Sequence, residues 1–291
     1  MTNKKGKKEK RPLLSKLLLI ILILALIVIY ARYIGTKGLQ VLEYNVKSES
    51  IPTSFDSFSI VHFSDLEFGS TFDLEDLSNL VNKINSLKPY IVVFTGDILS
   101  ENYILNDEEK IKLIEKFSEI DPLIGKYSIR GDKDTSSNIY EEIMELSGFK
   151  DITNSYELIY YKGLTPIVIY GLDSLIGGNQ DLSSTFSYPN EDTEPAYMAT
   201  YKVLIAHEPD TIDLVSSYNV DLMLAGHSHN NYINIPYLKD LYHIDGAKKY
   251  YDLEYEVNGT KLYISPGLGT DKLKMRLFAR PSISIYRLYS D

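Results

Sequence analysis

From Leu17 to Ala31 the chain reads LLLIILILALIVIYA, fifteen residues without a charge. Pro12–Leu14 and Tyr33–Ile34 extend the run, and Lys16 and Arg32 interrupt it only near its ends, where long basic side chains snorkel to the interface. A helix crossing the hydrocarbon layer needs roughly 20 residues, and 12–34 supplies them. Lys4, Lys5, Lys7, Lys8, Lys10 and Arg11 precede the run, against the single acid Glu9. That flank excludes an ordinary buried core helix and leaves a signal peptide or an uncleaved signal anchor. Ala31-Arg32-Tyr33 makes a poor cleavage site, so the expectation is a transmembrane anchor over 12–34 behind a basic cytoplasmic tail, 1–11. The positive-inside rule then puts everything after about residue 35 outside the cell membrane.

The body beyond the anchor is acidic. Residues 35–291 hold 22 basic and 39 acidic residues, a net charge of −17. Such a body is not expected to have nucleic acid as a partner. Cysteine is absent, which removes disulfides, thiolate metal sites and cysteine nucleophiles. Any metal must be held by His, Asp, Glu, Asn or backbone.

Periodicity in the body alternates. Short apolar runs at Ser59–Ser64, Tyr90–Thr95 and Tyr127–Arg130 read as strands. Between and after them, Asp73–Leu87, Glu108–Ile120 and Ser137–Leu146 read as helices, the second with Ile111, Ile114, Phe117 and Ile120 on one face. Strand-like runs then dominate: Pro166–Tyr170, Lys202–Ala206, Asp221–Ala225, Lys261–Ser265 and Ser282–Leu288. Asn258-Gly259 reads as a hairpin turn after Tyr251–Val257. Residues 35–50 are a linker or an edge strand, and 51–291 form one domain. Alternating strands and helices followed by strands indicate an α/β sandwich of two sheets flanked by helices.

The strands end in carboxylates and imidazoles. In order, the ends read Ser64-Asp65-Leu66-Glu67, Gly96-Asp97, Gly131-Asp132-Lys133-Asp134, Ala206-His207-Glu208 and Gly226-His227-Ser228-His229. Ligand sites of α/β sheets collect outside the carboxyl ends of strands. One such residue is ordinarily a turn former, but five loops in order are a site. Oxygen and imidazole donors without thiolate suit Mn, Fe, Mg or Zn.

This order, with LIAHEPD at Leu204–Asp210, AGHSH at Ala225–His229 and LYISPGLG at Leu262–Gly269, resembles the calcineurin-like metallophosphoesterase superfamily, and within it a membrane-associated bacterial subgroup. The resemblance covers about residues 50–290. It implies two divalent metal ions, one on Asp65, Glu67, Asp97 and His229, the other on Asp97, Asp132, His207 and His227. A hydroxide bridging them would attack phosphorus in a phosphomono- or phosphodiester. Mn or Mg is favoured by the extra carboxylates, with Fe and Zn as the remaining choices. The family pattern has His where this chain has Glu67, Asn where it has Asp132, and His where it has Lys133; Asp134 matches. Lys133 and Asp134 are the expected catalytic groups, Lys133 acting as an electrostatic clamp. Four carboxylates would neutralise two divalent ions, so weakened hydrolysis is one expectation and a non-hydrolytic cell-surface binding module is the alternative. The anchor suggests a phospholipid, lipid-linked or envelope phosphate as substrate.

Other residues carry less. Glu208 is expected as an exposed turn acid, His62 as a core histidine and Ser228 as a loop residue. Asn230 and Asn231 touch the substrate or narrow the loop. His243 lies in a tyrosine-rich stretch, Tyr232 to Tyr251, that could rim a substrate site or face a membrane, although with 24 tyrosines in the chain general composition is the stronger reading. Asp173 precedes a loop, Ser174–Ala199, that could serve as a lid. No G-x-S-x-G, Walker A or G-x-G-x-x-G occurs.

Overall fold

The computed structural model describes residues 10–189, 194, 198–237 and 243–291, with side chains from residue 13 onward. Residues 1–9 of the basic tail, 190–193 and 195–197 of the proposed lid, and Tyr242 lie outside them.

The chain opens with a 24-residue helix, α1 (Lys10–Tyr33). Leu13–Tyr33 is long and apolar enough to cross a membrane, and its apolar side chains from Leu13 to Ile29 are exposed. Two six-stranded sheets come after it. The first is built from β1 (Gln40–Ser48), β12 (Ser282–Ser290), β2 (Phe58–Phe63), β3 (Ile91–Phe94), β4 (Gly125–Ser128) and β5 (Lys150–Asp151), in that spatial order. The second runs β10 (Glu254–Val257), β11 (Thr260–Ile264), β9 (Leu222–Ala225), β8 (Tyr201–Ile205), β7 (Ile167–Gly171), β6 (Ser155–Ile159). β2, β3 and β4 are parallel, as are β7, β8, β9 and β11. Their carboxyl ends therefore share one rim of each sheet.

Helices α2 (Leu74–Leu87), α3 (Asp107–Ser118) and α4 (Ile139–Leu146) cover the first sheet. α2 begins where Asp73 accepts hydrogen bonds from the amides of Glu75 and Asp76, and it ends at left-handed Lys88, just before Pro89. α3 begins with the reciprocal cap of Asn106 and Glu109. Its buried residues are Leu113 and Phe117, not Ile111, which is exposed. The expected stripe is therefore rotated, because the helix stops at Ser118 and Ile120 packs from the following turn. A last short helix, α5 (Leu182–Thr185), lies beyond β7.

Because both faces of the first sheet are covered, β2 is buried at all six positions. Val61 and Phe63 face the helices, while Phe58 and Ile60 face the second sheet, where Ile169, Val203 and Leu224 meet them. Each such side chain contributes roughly 1.5–3 kcal/mol. β4 starts two residues earlier than its apolar run suggested, since Ile129 and Arg130 already belong to the turn. β5 is only two residues long, too short to show any periodicity.

His62 sits in the middle of β2, wholly buried, with Nε2 2.9 Å from Thr95 Oγ1. Burial pushes its pKa down to about 3 from 6.5. Below the unfolded value the unfolded chain takes a proton that the native chain refuses. Stability from this residue is thus fully present above about pH 6.5 and is lost as pH falls toward 3. Between pH 6 and 4, His62→Gln should reduce the acid loss of stability by up to about 1.4 kcal/mol per pH unit, read by urea unfolding of the full chain in detergent. An unchanged slope would show that His62 is not the group responsible.

Candidate metal centre

Five of the seven candidate ligands have left-handed backbones: Asp65, Glu67, Asp97, His227 and His229, with φ of 51°, 50°, 62°, 65° and 49°. Each stands on a loop leaving a buried strand, where the chain turns sharply out of the sheet. Such conformations persist at non-glycine residues only where surroundings dictate them. Gly96 and Gly131 make the crowding possible. A Cβ on Gly96 (φ 95°) would enter the Gly131 backbone, and one on Gly131 would enter the Asp97 carboxylate. The Gly-Asp pairs after β3 and β4 are therefore two loops touching through their glycines.

The seven side chains converge in two groups, Asp97 with Asp132, His207 and His227, and Asp65 with Glu67 and His229. In the first group His207 Nε2 lies 3.5 Å from Asp97 Oδ2 and 3.2 Å from Asp132 Oδ1. His227 Nδ1 lies 3.2 Å from the same Asp132 oxygen and 3.2 Å from His207 Nε2. The far nitrogens of both rings donate to backbone carbonyls, His207 Nδ1 to Thr95 (2.6 Å) and His227 Nε2 to Asp245 (2.7 Å). In the neutral rings these bonds leave lone pairs on the two facing nitrogens, pointing at a carboxylate oxygen that accepts no hydrogen bond from the described residues. Electron pairs converging in this way call for a proton or a metal ion between them. The same demand raises the proton affinity of His207 and His227. Burial opposes their charge, but Asp97 and Asp132 outweigh it for His207, and the Asp132 contact does so for His227. In return Asp132 is held well below its ordinary range, against its burial, by the two imidazoles. Imidazole and carboxylate donors anchored from behind suit a divalent metal ion.

The second group differs. Lys133 Nζ reaches 2.6 Å from Glu67 Oε1 and 2.6 Å from Asp97 Oδ2. Burial would raise Asp97, but Lys133 and then His207 bring its pKa down to about 2. Burial pushes Glu67 well up, and Lys133 offsets only part of that. His229 Nε2 stands 3.5 Å from Asp65 Oδ1 and 3.7 Å from Glu67 Oε1. Its Nδ1 faces the guanidinium of Arg276 at 3.4 Å.

Asp134 does not join these groups. Its buried carboxylate accepts from the amides of Asp97 (2.7 Å), Ile98 (3.0 Å) and Gly131 (2.9 Å). It is a positioning residue that ties the two touching loops together. Glu208 is not an exposed acid either. It is fully buried and accepts from Ser174 Oγ and from the Leu175 amide at 2.7 Å, pinning the start of the 174–199 loop. Asp173 pairs with Arg130 at 2.7 Å. Ser228 accepts from the Asn230 amide and donates to the Tyr251 carbonyl, and Asn230 is buried, accepting from Asn234.

A cavity of about 890 Å³ opens over the centre, with Asp132, Lys133, His227, His229, Tyr232 and His243 among its walls. Tyr232 stacks on His229 at 4.4 Å between ring centroids, and His243 stacks on Tyr251 at 4.1 Å. Asn231 also lines it. The residue least visible in the sequence is Arg276. Fully buried, it donates to the carbonyls of Pro266, Gly269 and Ala279, while its own amide donates to the Ala31 carbonyl near the end of α1. No motif surrounds it, so only the fold places it behind His229.

The family model for calcineurin-like phosphoesterases matches residues 58–231. An uncharacterized metallophosphoesterase of Bacillus subtilis (strain 168), YkuE, is 32% identical over 265 residues, covering 90% of this chain and 89% of that protein. A transmembrane protein with metallophosphoesterase domain from Danio rerio is 23% identical over 91% of this chain and 61% of that protein. The UDP-2,3-diacylglucosamine pyrophosphatase LpxG of Chlamydia muridarum (strain MoPn / Nigg) is 23% identical over 78% of this chain and 82% of that protein. Converging imidazoles and carboxylates at the rims of two packed sheets are thus matched by the extent of the family model, and the chain belongs to the calcineurin-like phosphoesterases.

Proposed function

We propose that this chain is a membrane-anchored, metal-dependent phosphoesterase that hydrolyses a phosphomono- or phosphodiester at the centre formed by Asp65, Glu67, Asp97, Asp132, His207, His227 and His229. The observation that carries this reading is the convergence of His207 Nε2, His227 Nδ1 and Asp132 Oδ1 at the floor of a cavity large enough for a phosphate ester. Divalent cations held there, Mn or Mg before Fe or Zn, would acidify a water and draw charge from the phosphate oxygens. The protein's own residues do the rest. The Thr95 and Asp245 carbonyls fix both imidazoles, and Asp134 fixes the loop of Asp97. Lys133 supplies a positive charge at the cavity wall, where phosphate would approach. Tyr232 and His243 offer flat faces to the organic part of an ester.

In this reading α1 anchors the chain as a single pass, with residues 1–11 in the cytoplasm and the body, 51–291, outside. The end of α1 is hydrogen-bonded to Arg276, whose guanidinium touches His229, so the centre lies close to the membrane end of the body. A phosphate borne by a lipid or an envelope component is the substrate class that fits this placement. The Chlamydia muridarum pyrophosphatase is a relative whose name carries a diacylated sugar. The net charge of the body disfavours nucleic acid. The second reading, a binding module with lost or weakened hydrolysis, is favoured by one observation: the lysine in place of the leaving-group imidazole is itself clamped by two carboxylates.

The test is hydrolysis of bis-p-nitrophenyl phosphate by the full chain in detergent, with Mn, Mg, Fe or Zn added. Turnover with metal, reduced at least about 100-fold by Asp97→Asn, is expected. Metal binding without turnover would favour the binding module, and a rate that Asp97→Asn leaves intact would refute the assignment of this centre. The double change Glu67→His with Lys133→His should raise turnover by restoring an imidazole ligand and a proton donor titrating near neutrality. A rate no higher than that of the parent would count against the roles given to these two positions.

A further inference from the structure

We infer that the two halves of the centre are unequal: one divalent cation binds tightly among Asp97, Asp132, His207 and His227, while the Lys133 ammonium stands as the built-in cation of the Asp65–Glu67–His229 half and competes there with a second metal ion. This deepens the metal-dependent reading and rests on it. Two separate contacts lead to it.

The first is the reach of Lys133. Its Nζ lies 2.6 Å from Glu67 Oε1 and 2.6 Å from Asp97 Oδ2, so one ammonium ties a carboxylate of the second half to the one that a shared metal pair would use in common. A divalent cation between Glu67 and Asp97 would need the volume and the oxygens that this ammonium takes. In the first half the ammonium meets Asp97 alone, and Asp132 Oδ1, His207 Nε2 and His227 Nδ1 face one another with no Lys133 contact among them.

The second is the partner of His229. A metal-bound imidazole ordinarily donates its remote N–H to a carbonyl or carboxylate, as the rings of His207 and His227 are placed to do. The Nδ1 of His229 instead faces Arg276 Nη2 at 3.4 Å, and a guanidinium only donates. Nδ1 is therefore the acceptor, and the neutral ring carries its proton on Nε2, the atom aimed at Asp65 and Glu67. The ring donates toward the carboxylates from the position where a ligand lone pair would be needed. Binding metal at Nε2 would force an N–H on Nδ1 against the guanidinium. Arg276 cannot retreat, because the carbonyls of Pro266, Gly269 and Ala279 hold it.

Lys133 has somewhere to go, since it lines the large cavity. The second half can thus fill when the metal concentration is high enough to expel the ammonium, and a phosphate in the cavity would be a partner for the displaced charge.

The experiment uses the full chain in detergent, stripped with chelator, desalted and titrated with Mn(II). Bound metal is measured by elemental analysis, and electron paramagnetic resonance distinguishes isolated from spin-coupled Mn(II). The parent should bind one equivalent with an isolated signal, and a second only at on the order of 10- to 100-fold higher Mn(II), the range by which neighbouring groups shift metal affinity. Lys133→Met keeps an unbranched side chain only one atom shorter and removes its charge. It should bind two equivalents in one concentration range, with a coupled signal. A coupled pair in the parent at low Mn(II) would overturn the inference even if the variant failed to fold. A variant that still bound a single ion would overturn it too. Failure of both proteins to bind Mn(II) would instead remove the metal-dependent reading beneath it.

Discussion

Negative charge gathered without water is the constraint that orders this molecule. Asp65, Glu67 and Asp97 are wholly buried, and Asp132 stands a few ångströms away with one oxygen sealed from solvent. Oxygens at such distances repel strongly in a medium less polarisable than water. Every neighbour answers that repulsion. The His227 amide donates to both Asp65 oxygens, and the Lys133 amide donates to Asp97 Oδ1. Lys133 adds its full charge, and the imidazoles add what protons or metal ions they hold. Glu67 Oε2 and Asp132 Oδ1 still lack a hydrogen bond among the described residues. A buried oxygen without a donor is costly, and it is tolerable here because these are the atoms that a cation would satisfy.

Holding such a knot closed requires backbone strain, and the sandwich supplies the force. Left-handed residues cost on the order of 1–3 kcal/mol each when forced on side chains that avoid them. Five of them cluster at the centre. They stand just beyond strands that are locked between two apolar layers, Phe63 and Phe94 against the helices and Ile60, Val93 and Ile205 in the layer between the sheets. Burial of those side chains offsets the strain. Asp134 then turns a further buried carboxylate into structure, since three amides from two loops donate to it. Its own pKa still rises to about 6, chiefly through burial and then through nearby Asp97.

Much of this was legible in the sequence, and what was not has physical reasons. Strands buried on both faces read as unbroken apolar runs, so β2, β3, β8 and β9 stood out, and the polar residue after each marked the rim. Motif order brought His207, His227 and His229 to one place. The rotation of α3 was missed because four isoleucine and phenylalanine positions fit a helical stripe as well as Leu113 and Phe117 do. Glu208 looked like a turn acid because its partners, Ser174 and Leu175, are 34 and 33 residues away. Asp134 matched a family position, yet only the geometry shows that its oxygens accept from three backbone amides. Arg276 had no signal at all, since burial of a guanidinium by carbonyls is a property of the fold and leaves no pattern in the chain.

Arg276 joins parts of the molecule that the sequence keeps far apart. Its amide holds the Ala31 carbonyl at the end of α1, its guanidinium threads three carbonyls of the loops leading into β12, and its last nitrogen meets His229. Burial lowers its pKa to about 10, which still leaves the guanidinium charged at neutral pH. That permanent charge pushes protons off His229, in the same direction as burial does. One residue thus bonds the apolar helix through its main-chain amide and sets the electronic state of one candidate ligand through its side chain. The guanidinium keeps His229 neutral and sets which of its nitrogens carries the proton, and the three carbonyls that fix the guanidinium fix that choice as well.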